Sequence, residues 1–143
     1  MNEIPLFSSL SIKSITLRNR VVLSPMCQYK AKDGMINDWH LQHYSRFAFS
    51  GLGAAFIEAT GVLPEGRIGH GCTGIWSDDH IEGLSKIAKT FKEYNCISGI
   101  QLAHAGRKAS FLRPWDGASP ISRDDKREPA WQTIGPSAIP INE

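Results

Sequence analysis

The sequence predicts an α/β fold, specifically the N-terminal part of a (β/α)8 TIM barrel. Three short apolar runs begin near residues 20, 54 and 97, and segments with helical periodicity separate them. Strands that alternate with helices pair in parallel through right-handed crossovers. No G-x-G-x-x-G motif follows the first run, which disfavours a dinucleotide-binding Rossmann fold. Because such a barrel needs about 250 residues, we expect this chain of 143 residues to supply about three strands and two helices.

The first predicted elements are a short β-hairpin and a buried strand. Residues 10–12 and 15–18 suit the hairpin, and residues 20–23 form the first apolar run of the core. The pair Ser24-Pro25 should end this strand, because proline lacks a backbone donor and keeps the preceding residue extended. The strand therefore presents the residues that follow it at its carboxyl end.

A helix and a second strand come next. The Asp33-Gly34 turn precedes Asn37 or Asp38, either of which can cap a helix that runs to about residue 50. Gly51 should end that helix. The apolar positions expected on its buried face are Trp39, Tyr44, Phe47 and Ala48. Residues 54–59, AAFIEA, form the second buried strand.

The second helix is the clearest element of the sequence. Ser77 is a strong N-cap, and two aspartates follow it at the positive end of the helix. Apolar residues then recur at steps of three and four, which predicts one buried face: Ile81, Leu84, Ile87 or Ala88, Phe91 and Tyr94. A third strand begins near Ile97, and the proline-rich segment after Gly106 is expected to form loops.

Composition excludes several classes of function. The net charge of +2, with scattered basic residues, does not indicate a nucleic-acid partner. No apolar run approaches the roughly 18–20 residues that span a bilayer, and the N-terminus does not look like a signal peptide. The three cysteines are widely spaced and include no CxxC pair, so we expect neither a disulfide framework nor a zinc or iron–sulfur site. These observations favour a cytoplasmic protein.

The candidate site lies where the predicted strands end. Ligands of parallel α/β folds bind at the carboxyl ends of the strands. Six residues occupy this edge: Ser24, Pro25, Met26, Cys27, Ala59 and Gln101. A thiol at such an edge is in most proteins an inert core residue, whereas an amide inside an apolar strand needs a polar partner. Gln101 is therefore a candidate ligand-binding residue from its position alone.

Six motifs in a fixed order extend this prediction: SPMCQY, NDWHLQHY, EATGVLPEGRI, GIWSDDHIEGL, IQLAHAGRKA and GPSAIP. The set resembles the Old Yellow Enzyme family of FMN-dependent ene-reductases, and most closely its bacterial YqjM-like (thermophilic-like) branch. The resemblance implies that the residues 24–27 line the flavin and that Ala59 approaches its ring. It implies that Gln101 hydrogen-bonds the pyrimidine end, that Cys27 tunes the redox potential, and that Tyr29 lies above the ring and contacts the substrate.

The resemblance also implies a reaction. NADPH or NADH reduces FMN, and the reduced flavin then gives a hydride to the β-carbon of an enone-type substrate in a ping-pong cycle. A homo-oligomer is implied for full-length members of the family. Cys27 and Tyr29 are the residues to which the resemblance assigns catalytic roles.

Other parts of the family's site should lie beyond residue 143, namely the paired histidines that hold the substrate carbonyl, a proton-donor tyrosine and the phosphate-binding loops. We therefore expect residues 1–143 to be the truncated N-terminal portion of one FMN-binding barrel domain, inactive and free of FMN by itself. Two alternatives remain open. One is a non-catalytic remnant without flavin binding, and the other is the N-terminal part of a dienoyl-CoA-reductase-like relative with FMN and an iron–sulfur cluster.

Metal binding is the remaining alternative, and the residue pattern does not favour it. His40 and His43 have the spacing that places two side chains on one helix face, but no third ligand accompanies them. Cys72 with His70 and His80 is an equally weak set. We therefore predict no metal site.

Overall fold

The computed structural model of the protein describes residues 4–141. A β-hairpin of β1 (Leu10–Ile12) and β2 (Ile15–Leu17) precedes a four-stranded sheet with two helices on it. In chain order, the elements of this second part are β3 (Val22–Leu23), α1 (Asp38–Phe49), β4 (Ala54–Gly61), β5 (Thr73–Gly74), α2 (Ile81–Glu93) and β6 (Ile97–Ala103).

β4 is the central strand of the sheet. β6 pairs with it in parallel along its whole length, from Ala54 opposite Ile97 to Gly61 opposite Ala103. On the other edge, β3 pairs in parallel with the start of β4, and β5 pairs in parallel with its end. The α/β alternation with parallel strands, predicted from the apolar runs, is therefore confirmed.

The hairpin is confirmed, with Leu10 opposite Leu17 in an antiparallel pair. The first core strand is shorter than predicted and begins at Val22 rather than at residue 20. The side chain of Asn19 explains the difference, because its Oδ1 accepts the hydrogen bond of the Val21 N–H at 3.1 Å. That donor is consequently unavailable to the ladder of the sheet.

Of the two predicted N-cap candidates, Asn37 and Asp38, it is Asn37 that caps α1. Its Oδ1 accepts a hydrogen bond from the Trp39 N–H at 3.1 Å, and the His40 Nδ1 accepts one from the Asn37 N–H at 3.3 Å. The two bonds satisfy donors that a helix start otherwise leaves unpaired.

The buried stripe of α1 differs from the predicted one. It consists of residues spaced by four, His40, Tyr44 and Ala48. Trp39 was expected on the buried face but is 51% exposed, and Phe47 is only partly buried. The prediction for Trp39 was wrong because a polar histidine occupies the position that faces the sheet, which places the tryptophan one residue outside the stripe.

Ser77 begins the second helix, as predicted, but through one 3-10 turn over Asp78–His80 before α2 starts. Ile87 and Phe91 are buried as expected. Ile81 is 55% exposed and Tyr94 is 45% exposed, so their predicted burial was wrong. The central turns of α2 are therefore buried, whereas apolar residues at both ends of the helix are exposed.

The hydrophobic core lies between the two helices and the sheet. Phe91 and Ile87 of α2 pack there with Tyr44 of α1, and the Tyr44 and Phe91 rings meet edge to face with centroids 6.1 Å apart. The other buried members of this cluster are Ala48, Ala55, Ile57 and Cys96. The helices therefore cover one face of the sheet.

One strand was not predicted, and one loop prediction is confirmed. β5 has only two residues and lies inside the glycine-rich loop after β4. The Thr73 and Thr60 hydroxyls are hydrogen-bonded at 2.9 Å next to the backbone pairing of the two strands. Beyond Gly106 the chain forms loops with two short 3-10 turns. Among residues 4–141, no helix has the length and apolar character needed to cross a bilayer.

Two isoleucines of α2 allow a matched test of this core. Ile87→Ala should lower the free energy of unfolding by about 2–5 kcal/mol, because it removes methyl groups from a buried site and leaves a cavity. Ile81→Ala, at an exposed position of the same helix, should change it by less than about 1 kcal/mol. Urea unfolding followed by circular dichroism gives both values, and equal losses in the two variants would contradict the packing described for α2.

Candidate functional site

The predicted site residues come together at the carboxyl ends of β3, β4 and β6. Ala59 of β4 lies directly opposite Gln101 of β6 in the parallel register. The loop after β3 brings Cys27 to the same place, where the backbone of Ala59 helps to lower the pKa of its thiol. Pro25 is half-buried in that loop, whereas Ser24 and Met26 are exposed.

A β-bulge at Glu58 arranges this edge. Ile57 pairs with Ile100 and Ala59 pairs with Gln101, so Glu58 is an extra residue without a partner on β6. Bulges re-aim side chains and are common beside active sites. Here two consecutive side chains, those of Ile57 and Glu58, are both buried in the helix layer.

The opposite face of the sheet is open and carries Gln101. Gly99 shares this face, and a Cβ there would lie 2.5 Å from the Phe56 ring. Gln101 is exposed, in contrast to the buried amide that an apolar strand suggests. Its amide is therefore free to contact a molecule placed on this face, and the small Ala59 next to it leaves room for a close approach.

The carboxyl group of Glu58 connects this edge to the loop after β3. Its Oε2 accepts a hydrogen bond from the Gln28 N–H at 2.8 Å, and its Oε1 lies 3.4 Å from the Tyr44 hydroxyl. The same hydroxyl accepts a bond from the Glu58 N–H at 2.8 Å. Burial raises the pKa of Glu58 to about 7, and nearby Cys27 acts in the same direction.

His40 lies next to this carboxyl group but does not form an ion pair with it, because the imidazole is neutral above about pH 4 and the carboxyl group is protonated below about pH 7. Its Nε2 is 3.7 Å from the Glu58 Oε1, and both side chains are fully buried. Burial lowers the pKa of His40 to about 4, with a contribution from His43. Between about pH 4 and pH 7 the imidazole and the carboxyl group are both neutral. Among residues 4–141 the Nε2 atom has no hydrogen-bond partner, while Nδ1 is 2.9 Å from the Asn37 Oδ1.

Cys27 carries an activated thiol. A hydrogen bond with the Cys72 thiol lowers the pKa of Cys27 to about 6, and the Ala59 backbone and the Tyr29 hydroxyl act in the same direction, against the effect of burial. The pKa of Cys27 therefore lies below that of an ordinary thiol, which favours the thiolate form. The same hydrogen bond, together with burial, raises the pKa of Cys72.

Tyr29 lies beside Cys27 and stays protonated. Burial raises the pKa of Tyr29 to about 12, and the charge on Cys27 contributes. The Tyr29 backbone has φ = 52°, and its carbonyl accepts a hydrogen bond from the Arg113 Nε at 3.3 Å. A cleft of about 290 Å³ lies against Tyr29, Lys30, Ala31, Arg113 and Trp115. A larger cleft, of about 690 Å³, lies among the loops of residues 107–141 and contains none of the predicted site residues.

Among residues 4–141, no three metal-ligating side chains converge. The ring of His43 packs edge to face on Tyr44, with centroids 4.9 Å apart. His70 is hydrogen-bonded to the Pro129 carbonyl at 2.8 Å. Cys72 pairs with Cys27, a contact that the sequence did not predict.

Residues 5–133 match the sequence profile of the NADH:flavin oxidoreductase / NADH oxidase family. The chain belongs to this family. The family resemblance inferred from the six motifs is thereby confirmed, and so is a flavin as the cofactor of the family.

Similar proteins support the same assignment. The chain is 43% identical to an NADPH dehydrogenase of Geobacillus thermodenitrificans over 100% of its own length and 37% of that protein. It is 45% identical to an NADPH dehydrogenase of Bacillus subtilis over 85% of its length and 36% of that protein. The structure of the old yellow enzyme from Trypanosoma cruzi aligns with 97% of this chain. The aligned part is 36% of the Trypanosoma cruzi protein, with 28% identity and a TM-score of 0.75. The chain thus spans little more than a third of these relatives.

The residues at the sheet edge suit a flavin of the NADH:flavin oxidoreductase family. A flavin ring needs a flat, largely apolar surface, which Ala59 and the half-buried Pro25 can provide. Its polar atoms need directed partners, and the exposed Gln101 amide can both donate and accept. Cys27 adds a polarisable sulfur whose charge state changes near neutral pH.

The raised pKa of Glu58 gives this family member a pH-dependent stability. Between pH 4.5, the ordinary value, and about pH 7, the unfolded chain ionises Glu58 while the folded chain keeps it protonated. The contribution of Glu58 to the free energy of unfolding is therefore fully present below about pH 4.5. It is lost as the pH rises through 7, by up to about 3 kcal/mol. Glu58→Gln cannot titrate, so the stability difference between wild type and this variant should shrink or reverse across this window.

The test is urea unfolding at several pH values from 4.5 to 7.5. Glu82→Gln is the matched control, because Glu82 is exposed and hydrogen-bonded to Lys86 at 2.7 Å. Its pKa is lowered by that lysine, so this control should not show the trend. A difference between wild type and Glu58→Gln that stays constant with pH would show that Glu58 ionises normally in the fold.

Proposed function

We propose that the protein carrying this chain is an FMN-dependent NAD(P)H oxidoreductase that reduces the activated C=C bonds of α,β-unsaturated carbonyl compounds. The observation that carries the proposal is the convergence of Cys27, Ala59 and Gln101 at one sheet edge in a member of a flavin oxidoreductase family. Residues 1–143 are, in this proposal, the N-terminal portion of one FMN-binding barrel domain in a cytoplasmic homo-oligomer.

Bound FMN would supply the redox chemistry, namely the transfer of a hydride from NADPH or NADH to the alkene. The chain positions the ring. Ser24, Pro25, Met26 and Ala59 form its bed, and Gln101 hydrogen-bonds its pyrimidine end. The lowered pKa of Cys27 favours a negative charge on its sulfur, and such a charge beside a redox centre shifts its potential.

Tyr29 is the substrate-facing residue in this proposal. Its pKa of about 12 keeps the hydroxyl protonated, so the phenol can donate a hydrogen bond to a substrate carbonyl. Two contacts hold its backbone, namely the bond from Arg113 and the close approach of Gly71. The paired histidines, the proton-donor tyrosine and the phosphate loops implied by the family resemblance would complete the site from later residues.

The direct test uses the full-length flavoprotein. We expect it to purify with a flavin absorbance band, to lose that band when NADPH or NADH is added without oxygen, and to regain it when 2-cyclohexenone is added. A protein that binds no flavin would support the alternative of a non-catalytic remnant. Stoichiometric iron in the protein would support the relative with an iron–sulfur cluster, and reoxidation by oxygen but not by enones would contradict alkene reduction.

Tyr29→Phe tests the contact with the substrate. The loss of one hydrogen bond to the carbonyl, worth about 0.5–1.5 kcal/mol, should raise the KM for 2-cyclohexenone by about two- to twelvefold. The rate of flavin reduction by NADPH should change little. Tyr94→Phe, at an exposed position at the end of α2, is the matched control and should leave both quantities unchanged. An unchanged KM in Tyr29→Phe would remove Tyr29 from the substrate site.

A further inference from the structure

Two chain segments that are far apart in sequence run side by side at the site. The Ala31 N–H donates to the Gly71 carbonyl at 2.9 Å. The backbone of Gly71 also lies so close to Tyr29 that a Cβ on residue 71 would collide with the Tyr29 carbonyl. The loop after β3 and the segment that leads into β5 are therefore locked together. Cys27 lies in the first of these segments and Cys72 in the second.

A third segment brings the two sulfur atoms together. Ala59 of β4 lies beside both segments. Its backbone helps to lower the pKa of Cys27 in the loop after β3, and its carbonyl accepts a hydrogen bond from the Thr73 hydroxyl of β5 at 3.4 Å. Cys72 directly precedes Thr73, and the interaction of its thiol with Cys27 is the largest cause of the opposite pKa shifts of the two cysteines. Two of the chain's three cysteines thus meet at the edge that holds the site.

The two thiols differ in the way that the partners of a redox pair differ. Cys27 is partly accessible, whereas Cys72 is 1% exposed. Oxidation-sensitive cysteines are accessible thiolates that lie next to a second, resolving cysteine. Cys27 is the accessible thiol of the two, and its interaction with Cys72 lowers its pKa, so it fits the first role. The buried position of Cys72 fits the role of the resolving cysteine, because peroxide in the solvent cannot reach its sulfur directly.

We propose that Cys27 and Cys72 form a peroxide-sensitive pair, in which oxidation produces an intramolecular disulfide and reversibly inactivates the flavin site. The inactivation rests on the proposed function, whereas disulfide formation does not. The pair is distinct from any role of Cys27 toward the flavin, because it depends on Cys72, which has no part in the proposed reaction.

The chemistry balances with a peroxide as the oxidant. The Cys27 thiolate attacks one oxygen of hydrogen peroxide, the O–O bond breaks, and hydroxide leaves and takes up a proton to become water. Cys27 is now a sulfenic acid. The Cys72 sulfur then attacks the Cys27 sulfur, the S–S bond forms, and the sulfenic hydroxyl leaves as water with the Cys72 proton. Two thiols and one peroxide give one disulfide and two water molecules.

The oxidation of Cys27 makes the subsequent attack by the Cys72 sulfur easier. The hydrogen bond to the Cys27 thiolate is the largest cause of the raised pKa of Cys72. Oxidation of Cys27 removes that thiolate, so the pKa of Cys72 falls toward its ordinary value and its sulfur becomes a better nucleophile. The disulfide then eliminates the thiolate charge at the site. A dithiol such as dithiothreitol restores both thiols by exchange.

Peptide mapping tests the disulfide directly. The full-length flavoprotein is treated with hydrogen peroxide, its free thiols are blocked, and it is digested with trypsin without reduction. Cleavage after lysine and arginine places Cys27 in the peptide 21–30 and Cys72 in the peptide 68–86. We expect these two peptides to appear as one linked species that dithiothreitol separates. Cys96, in the peptide 93–107, should remain a free thiol because it is buried away from the pair.

Activity and variants test the consequence. We expect NADPH-dependent enone reduction to fall by at least about tenfold in parallel with the linked species, as for the loss of one charged hydrogen-bonding group, and to recover with dithiothreitol. In Cys72→Ser, Cys27 should instead gain two or more oxygen atoms and dithiothreitol should not restore the starting activity. Cys96→Ser, the matched control, should behave as wild type.

Each outcome has one meaning. If no linked peptide forms in wild type, or if Cys27 gains two oxygen atoms while Cys72 stays free, the pair does not exist. If the linked peptide forms but the activity is unchanged, the disulfide does not inactivate the flavin site. Failure of the proposed function is recognised separately, because a protein without a flavin band or enone reduction can still be mapped for its disulfide.

Discussion

The hydrogen bond from the Gln28 N–H to the buried Glu58 carboxyl group is the contact on which the site depends. It joins the loop after β3 to the bulged centre of β4 at 2.8 Å. Without the bulge, alternation along the strand would place the Glu58 side chain on the open face rather than among the helices. One extra residue in β4 therefore positions both the carboxyl group that holds the loop and the small Ala59 that leaves the opposite face free.

This contact also connects the site to the hydrophobic core. Tyr44 packs its ring against Phe91 and uses its hydroxyl to bind both the backbone and the carboxyl group of Glu58. A buried polar group is stable only when it is hydrogen-bonded, and here the partners come from α1 and from the loop. The order of the loop that carries Cys27 and Tyr29 is therefore tied to the packing of the helices.

Local patterns predicted much of this fold. The cap residues Asn37 and Ser77 begin helical segments as their side-chain chemistry predicts, and the steps of three and four in α2 correctly marked Ile87 and Phe91 as buried. The same periodicity wrongly assigned Ile81 and Tyr94 to the core. Periodicity identifies one face of a helix, but how far a neighbouring sheet extends along that face depends on the sheet.

The sequence by itself determined the fold class, the family and the edge at which Cys27, Ala59 and Gln101 lie, because strand ends and family motifs are properties of contiguous residues. Only the tertiary structure decided that Glu58 is an unpaired bulge residue and that Cys72 meets Cys27. Both depend on the register between strands and on the path of a glycine-rich loop. Such contacts join residues that are distant along the chain, so no local pattern records them.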